Sequence, residues 1–333
     1  MSLKTVPKPA SPLDPCTSSN AVFVPIRRSQ QIITLTIVIG PALGLAGLIA
    51  LLWGRAVDLT DIAIAVVFYL VTGFGLTIGF HRLFTHNSFA PNRILKIVLA
   101  IAGSMALEGS LTSWVATHRR HHIYSDQPGD PHSPHRYGPQ GIALLKGLMF
   151  AHIGWLFVSD ASRAERYAPD ILKDTDVQAI DKFFPLIAVG SLILPFWIGY
   201  LIDGTFYGAL TTLVWAGLVR MALLHHVTWS VNSLCHTFGR RSVDTKDRST
   251  NLWILSIVSL GDSWHNIHHA HPVWARHGAG KGMLDPSARL IRVFERFGWA
   301  TKVRWPTNSA IEISARENSP TTSGFAKEPS SSY

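Results

Sequence analysis

Histidine is the residue that could do chemistry in this chain: there are 16 among 333 residues. They fall in clusters. His81-Arg-Leu-Phe-Thr-His86 is the first, His118-Arg-Arg-His121-His122 the second and His265-Asn-Ile-His268-His269 the third. On an α-helix, positions i, i+3 and i+4 share a face. Each HxxHH therefore presents three imidazoles to one side. His81 and His86 stand about 140° apart on such a helix, which points them at two different centres. A further element, Asn232-Ser-Leu-Cys-His236, puts an asparagine and a histidine on one face. Nine histidines and one asparagine are too many for one metal ion and about right for two.

One HxxHH alone could be a solvated face or a set of packed core histidines. Two identical clusters with an HxxxxH beside them favour a dinuclear metal site. His132, His135, His225, His226, His271 and His277 are read as supporting, surface or packing residues, and His152 as a hydrogen-bonding core residue. Imidazole suits zinc, copper, iron and nickel. The sequence has no HExxH, no GxSxG and no CxxC. Gly73, Gly75 and Gly79 lie within an apolar run, and Gly278, Gly280 and Gly282 lack a phosphate-loop context. The chain thus shows no nucleotide, flavin or iron–sulfur site of its own. Oxygen chemistry at two irons would need electrons from a separate protein.

The elements that must position these histidines are apolar. Charged residues make up 15% of the chain, against roughly 25% in soluble domains. Apolar residues concentrate in uncharged runs over 32–53, 62–80, 183–202 and 204–219, the last extending towards residue 234. Each run is of a length to cross, or nearly cross, a ~30 Å hydrocarbon core as a helix. Four membrane spans in two hairpins follow. Lys and Arg crowd the stretch between the second and third runs and the N-terminal segment, so both termini and the histidines are expected on the cytoplasmic side. The net charge of +9 fits acidic lipid beside such loops and not nucleic acid. Residues 94–115 and 141–158 are apolar but short or interrupted, and are expected at the interface or under a cytosolic cap. Residues 1–30 are expected to be a disordered arm without signal-peptide character, and 308–333 a disordered tail. Cys16 and Cys235 make no disulfide framework.

The order HRLFTH, HRRHH, NSLCH, HNIHH resembles the membrane-bound fatty acid desaturases, nearest to the stearoyl-CoA (acyl-CoA delta-9) type and its bacterial relatives. Trp114-Val-Ala-Thr-His118, Gly129-Asp-Pro-His132, His152-Ile-Gly-Trp155 and Thr228-Trp-Ser-Val-Asn232 carry the resemblance further, over roughly residues 30 to 306. It implies an all-α integral membrane domain over 31–307: four transmembrane helices under a cytosolic helical cap, in a bacterial plasma membrane. It implies two iron ions held by histidines. One would be bound by His81, His118, His121 and His268, with Asn232 through water. The other would be bound by His86, His122, His236, His265 and His269. The implied reaction is O2-dependent removal of two hydrogens from a saturated acyl chain, with two electrons from an external ferredoxin, flavoprotein reductase or cytochrome b5-like donor.

By matching positions, Trp114, Thr228 and Trp229 would line the bend of the acyl tunnel, with Tyr69 near its closed end and Gly73 leaving room for the chain. Tyr69 stands about 18 Å along a helix from His81, which suits a cis double bond near carbon 9 of a C16 or C18 chain. Two departures concern the acyl carrier. Ala116-Thr117 stand where animal acyl-CoA enzymes have Arg-Asp, and Ser159-Asp160 where they have basic residues. Long-chain acyl-CoA, a carrier protein and a membrane lipid all remain open as carriers. No His-Pro-Gly-Gly haem signature is present. The rival readings are a hydroxylase or ketolase on the same fold and a histidine-rich metal-binding or transport protein. The last is disfavoured because the four uncharged runs contain no His, Asp or Glu.

Overall fold

The computed structural model describes residues 28–51, 58–158, 162–280 and 282–307. Most of the expected arm, all of the expected tail, and Ser159-Asp160 lie outside the described residues. Helix α1 (Arg28–Leu51) already begins inside the expected arm. Helix α2 (Leu59–Phe74) starts at Asp58, whose side chain accepts from the Thr60 amide at 3.3 Å. It runs without interruption into a π-helix, Gly75–Thr85. Then come α3 (Arg93–Ser104), α4 (Leu111–Tyr124), α5 (Gly141–His152), α6 (Ala164–Tyr167), α7 (Thr175–Lys182) and α8 (Phe184–Asp203). Gly204, at φ 69°, closes α8 by donating to the Tyr200 carbonyl at 2.8 Å. The chain turns back as α9 (Phe206–Thr212), a second π stretch (Leu213–Val219) and α10 (Arg220–Ser233), ending in a tight turn at Leu234–His236. Helices α11 (His265–Ala270) and α12 (Pro286–Arg296) complete the helical set.

Among the described residues, three continuous helices are long and apolar enough to cross a membrane: Leu59–Thr85, Phe184–Asp203 and Phe206–His236. The remaining expected span falls on α1, whose apolar stretch is shorter, Thr34–Gly47. The fold is mostly helical, but it carries one element that the apolar periodicity did not signal. Strands β1 (Ala90–Pro91) and β2 (Ala300–Thr301) pair antiparallel. Two residues per strand are too few to show an alternating pattern. They tie the end of the chain to the loop that follows His86, helped by Asn92 N to Trp299 O at 2.8 Å and Arg304 N to Ser88 O at 2.9 Å. Helices α3 and α5 each leave an apolar stripe exposed, Ile94, Val98 and Ile101 on one and Ile142, Leu145 and Met149 on the other.

The glycines around the π-helix have a packing role. A Cβ on Gly75 would lie 2.2 Å from the Gly103 nitrogen and 2.3 Å from the Ala102 carbonyl carbon, and one on Gly79 would lie 2.9 Å from the Leu99 oxygen. Only a missing side chain lets α3 press backbone to backbone against this segment. The contact seats Ile78 and Phe80 in the core and aims the histidines that follow. A cation also holds the stem. Arg220 is buried and bonds the Ala216 carbonyl at 2.9 Å and Ser191 Oγ at 3.2 Å, bracing α10 against α8. Asp181 of α7 fixes the start of α4 by accepting from the Leu111 and Thr112 amides at 2.9 and 3.0 Å.

Replacing Gly75 by alanine should force α3 away from the π-helix. Such overpacking costs about 1–3 kcal/mol or more, so the thermal midpoint in detergent should fall by several degrees. Gly47→Ala, where a Cβ meets nothing within 4 Å, should leave it unchanged or slightly raised.

Candidate metal centre

All nine histidines of the clusters converge. They form two groups in which the potential ligand nitrogens lie within 4.8 Å of one another: His81, His86, His118, His122 and His268 in one, and His121, His236, His265 and His269 in the other. This partition differs from the one the resemblance implied at three positions. His86 and His122 join the first group, and His121 joins the second. Backbone geometry explains both shifts.

His81 lies on the π-helix and His86 is the residue that caps its C-terminal end. There the hydrogen bond runs from i to i+5, so residues five apart stack on one side. Their rings are 5.1 Å apart. The divergence expected from an α-helix is thereby removed. In an α-helix, i+4 lies about 40° from i in one sense and i+3 about 60° in the other. His118 and His122 accordingly pair, Nε2 to Nε2 at 3.0 Å, while His121 turns to the other group. The third cluster does the converse. His265 and His269 pair at 3.0 Å, while His268 joins the first group, 3.0 Å from the Nε2 atoms of both His81 and His122. Each HxxHH thus serves both centres.

Spacing within the groups suits a metal. Two nitrogens at about 2.1 Å from one ion and at right angles to each other are about 3.0 Å apart. The Nε2 pairs His118–His122, His81–His268, His122–His268 and His265–His269 are at 3.0 Å, and His236–His265 is at 3.1 Å. His86 Nε2 and His121 Nε2 are buried with no hydrogen-bond partner among the described residues. Buried polar atoms are normally satisfied, and a coordinated cation would satisfy these two. Burial, with neighbouring imidazoles, holds His86, His118, His122, His265, His268 and His269 well below the usual histidine range. They are neutral, the form that binds metal.

Four aspartates behind the ligands were not singled out from the sequence. Asp262 receives His81 Nδ1 at 2.9 Å, Asp130 receives His121 Nδ1 at 3.0 Å, Asp126 receives His236 Nδ1 at 2.8 Å and Asp247 receives His269 Nδ1 at 2.7 Å. A carboxylate on Nδ1 fixes the ring and leaves Nε2 facing the metal. Burial pushes the Asp126, Asp130 and Asp262 carboxyls up, but the imidazoles beside them, and Arg82 beside Asp262, hold them well below the usual carboxylate range. Four such charges can balance two divalent cations. His132 and His277 are part of this layer. His132 packs 4.4 Å from the His121 ring, and His277 Nδ1 lies 3.4 Å from Asp262. Arg82 lies 3.0 Å from Asp262 and 3.2 Å from Asp285. The only sequence signal was position: Asp262 lies three residues before His265, and Asp130 lies in the Gly-Asp-Pro-His132 segment. Asn232 is half-buried one turn before His236.

The expected tunnel residues divide. The Trp114 ring stacks on His118 at 4.9 Å. Its Nε1 donates to Glu108 Oε2 at 3.1 Å. Thr228 lies against the same carboxyl and also donates to the Leu224 carbonyl at 3.1 Å. The Tyr69 hydroxyl donates to the Val258 carbonyl at 2.6 Å, and a Cβ on Gly73 would lie 2.8 Å from Leu260 Cδ1. Trp229 packs elsewhere, against His152, His225 and His226. Glu108 escaped the sequence reading because a lone glutamate after an apolar run has the look of a solvated turn.

A helical membrane protein with a buried histidine cage able to hold two metal ions is the class defined by this fold and site. The family model described as "Fatty acid desaturase" matches residues 60–283. The chain belongs to the fatty acid desaturase family and is an oxidoreductase. It is 36% identical to the hex-5-enoyl-[acyl-carrier protein] acetylenase of Moorena producens (strain JHB) over 82% of this chain and 85% of that protein. It is 36% identical to the sn-1 stearoyl-lipid 9-desaturase of Anabaena variabilis over 73% and 84%. With the Delta-9 acyl-lipid desaturase 1 of Arabidopsis thaliana it shares 35% identity over 74% and 76%.

Burial pushes the Glu108 carboxyl up to about 7, despite hydrogen bonds from Trp114 and Thr228 that favour its charged form. An acid with a raised folded-state pKa binds its proton more tightly when folded. The cost to stability is absent below the unfolded value near 4.5, grows as pH rises from there, and levels off above about 7. Glu108→Gln should therefore stabilise the protein by roughly 2–3 kcal/mol at about pH 8 and by little at about pH 4.5. Thermal melts of both proteins across this range test it.

Proposed function

We propose that the protein is a di-iron desaturase that uses O2 to introduce a cis double bond, near carbon 9, into a saturated C16 or C18 acyl chain. The observation that carries this reading is the five-plus-four convergence of buried imidazoles, four of them backed by carboxylates, beside Trp114. His81, His86, His118, His122 and His268 would hold one iron. His121, His236, His265 and His269 would hold the other. Two irons, when bound, supply the oxidising power that removes two unactivated hydrogens with O2 and two electrons.

The chain's own residues do the rest. Asp262, Asp130, Asp126 and Asp247, by accepting from Nδ1, keep the Nε2 donor atoms aimed. Trp114, stacked on His118, walls the acyl chain beside the ligands, and Glu108 fixes the indole. Tyr69 and Gly73, packed on the 258–260 segment, close the far end. Trp229 supports α10 from behind. The electrons would come from an external ferredoxin, flavoprotein or cytochrome b5-like donor. A lipid-borne acyl chain is favoured over acyl-CoA, because two of the relatives are named as acting on acyl lipids and the positions expected to meet CoA are Ala116-Thr117. In this reading α1 supplies a fourth span, and the Lys and Arg distribution puts the termini and the metal site on the cytoplasmic face of a bacterial plasma membrane.

Expression in a host lacking its own desaturase, followed by mass-spectrometric location of any new double bond, tests the reaction. A hydroxylated chain instead would overturn it in favour of oxygen insertion. The ligand partition has its own check. His265→Ala and His86→Ala should each lower bound iron from about two per chain to about one and abolish turnover, whereas Asp130→Asn should weaken metal retention by roughly 10–100-fold. Elemental analysis of the purified variants reads all three.

A further inference from the structure

Between the last stem helix and the third histidine cluster, residues 252–261 read Leu-Trp-Ile-Leu-Ser-Ile-Val-Ser-Leu-Gly, without a charge. Their burial is inverted relative to a water-facing loop. Trp253, Ile254 and Ile257 are 71%, 65% and 62% exposed, and Val258 is also exposed, while Ser256 and Ser259 are buried. Apolar side chains point outward and polar ones inward.

Contacts set the depth of this segment. The Val258 carbonyl takes the Tyr69 hydroxyl, and Leu260 packs on Gly73. Tyr69 is about 18 Å along the helix axis from His81 and about 15 Å from the start of α2 at Leu59. Helical side chains tilt towards the N-terminus, so the hydroxyl lies no nearer the histidines than the Tyr69 backbone does. Helix α12 reaches down only to Thr77, where Ser287 Oγ meets Thr77 Oγ1 at 2.7 Å. The loop therefore descends about 12 Å beyond the α12 start, alongside a helix whose own Val66, Val67, Leu70 and Val71 are exposed. It is continuous with the apolar surface of a span.

Much of the segment's backbone is hydrogen-bonded within the protein. Non-helical chain at membrane depth is tolerated only where its polar groups are satisfied. Ser256 N bonds Trp253 O at 3.0 Å, Ser259 N bonds Leu255 O at 2.8 Å, Leu260 N bonds Ile257 O at 3.1 Å and Gly261 N bonds Ser256 O at 2.8 Å. Ser287 N takes the Leu260 carbonyl at 3.2 Å, and Tyr69 takes that of Val258.

We propose that residues 252–261 form a re-entrant element immersed in the acyl chains of the leaflet on the histidine side, and that bilayer phospholipid is the partner that covers Trp253, Ile254, Ile257 and Val258. Its far end leads directly into Asp262 and His265, so the loop is the wall between lipid and the metal cage. The immersion rests on α2 crossing the bilayer and not on the reaction proposed above.

Bimane attached at Ile257→Cys, in a Cys16→Ser background in which the remaining Cys235 is buried, tests the proposal in nanodiscs. A nitroxide-bearing phosphatidylcholine should quench it at least about threefold more than it quenches bimane at the exposed control Lys302→Cys, and iodide should do the reverse. Ile254→Cys is the second reporter in case the first does not fold. Labels at 254 and 257 that iodide quenches as it does the control, and that ignore the nitroxide lipid, would overturn the proposal. Lipid quenching in a protein that fails to desaturate would leave the immersion standing and count against the proposed function alone.

Discussion

Nine imidazoles must be buried and aimed at two points, and the rest of the structure follows from that constraint. An imidazole in a low-dielectric site sheds its proton readily, and the rings of His118, His122 and His268 are surrounded by others that make a positive charge costlier. Neutrality alone does not orient a ring. The four aspartates do, by taking Nδ1–H and leaving Nε2 to the centre. Their charges are tolerable because the cage is built to receive cations.

Two features of the backbone make the convergence possible. The π-helix at Gly75–Thr85 brings His81 and His86 to one side, which an α-helix would not do. The HxxHH spacing sends two rings to one centre and the third to the other, in opposite senses for the two clusters. Neither centre can move independently of the other, since α4 and α11 each contribute to both. Glycine packing at Gly75 and Gly79 then sets the π-helix against α3, so the stem determines the register of the site above it.

The surroundings of the cage are divided by chemistry. On one side, Trp114 and Glu108 present an indole and a carboxyl with little tolerance for water. On another, the uncharged 252–261 segment packs on α2 while its serines turn inward. Such an inversion suits an apolar outer medium. An oxidising centre that acts on hydrocarbon benefits from a wall of this kind, because the acyl chain need not cross water to reach it.

That these histidines form a set was legible in the sequence, because residues able to ligate a metal are of a few types and short helical spacings report which of them share a face. The apolar runs were legible too, since length and lack of charge are one-dimensional properties. The partition of ligands was not. It depends on a switch from α to π geometry that no residue in His81-Arg-Leu-Phe-Thr-His86 announces, and on which way His121 and His268 lean once Asp130 takes the former and Asp247 takes the neighbour of the latter. Asp126, Asp130, Asp247 and Asp262 were silent for the same reason: an isolated aspartate is usually a solvated turn residue, and only the tertiary structure brings it behind an imidazole. Glu108, Trp114 and Thr228 come from three segments, and their meeting is likewise decided by packing. Local spacing encodes what one helix presents; the aim of each donor atom depends on what the other helices press against it.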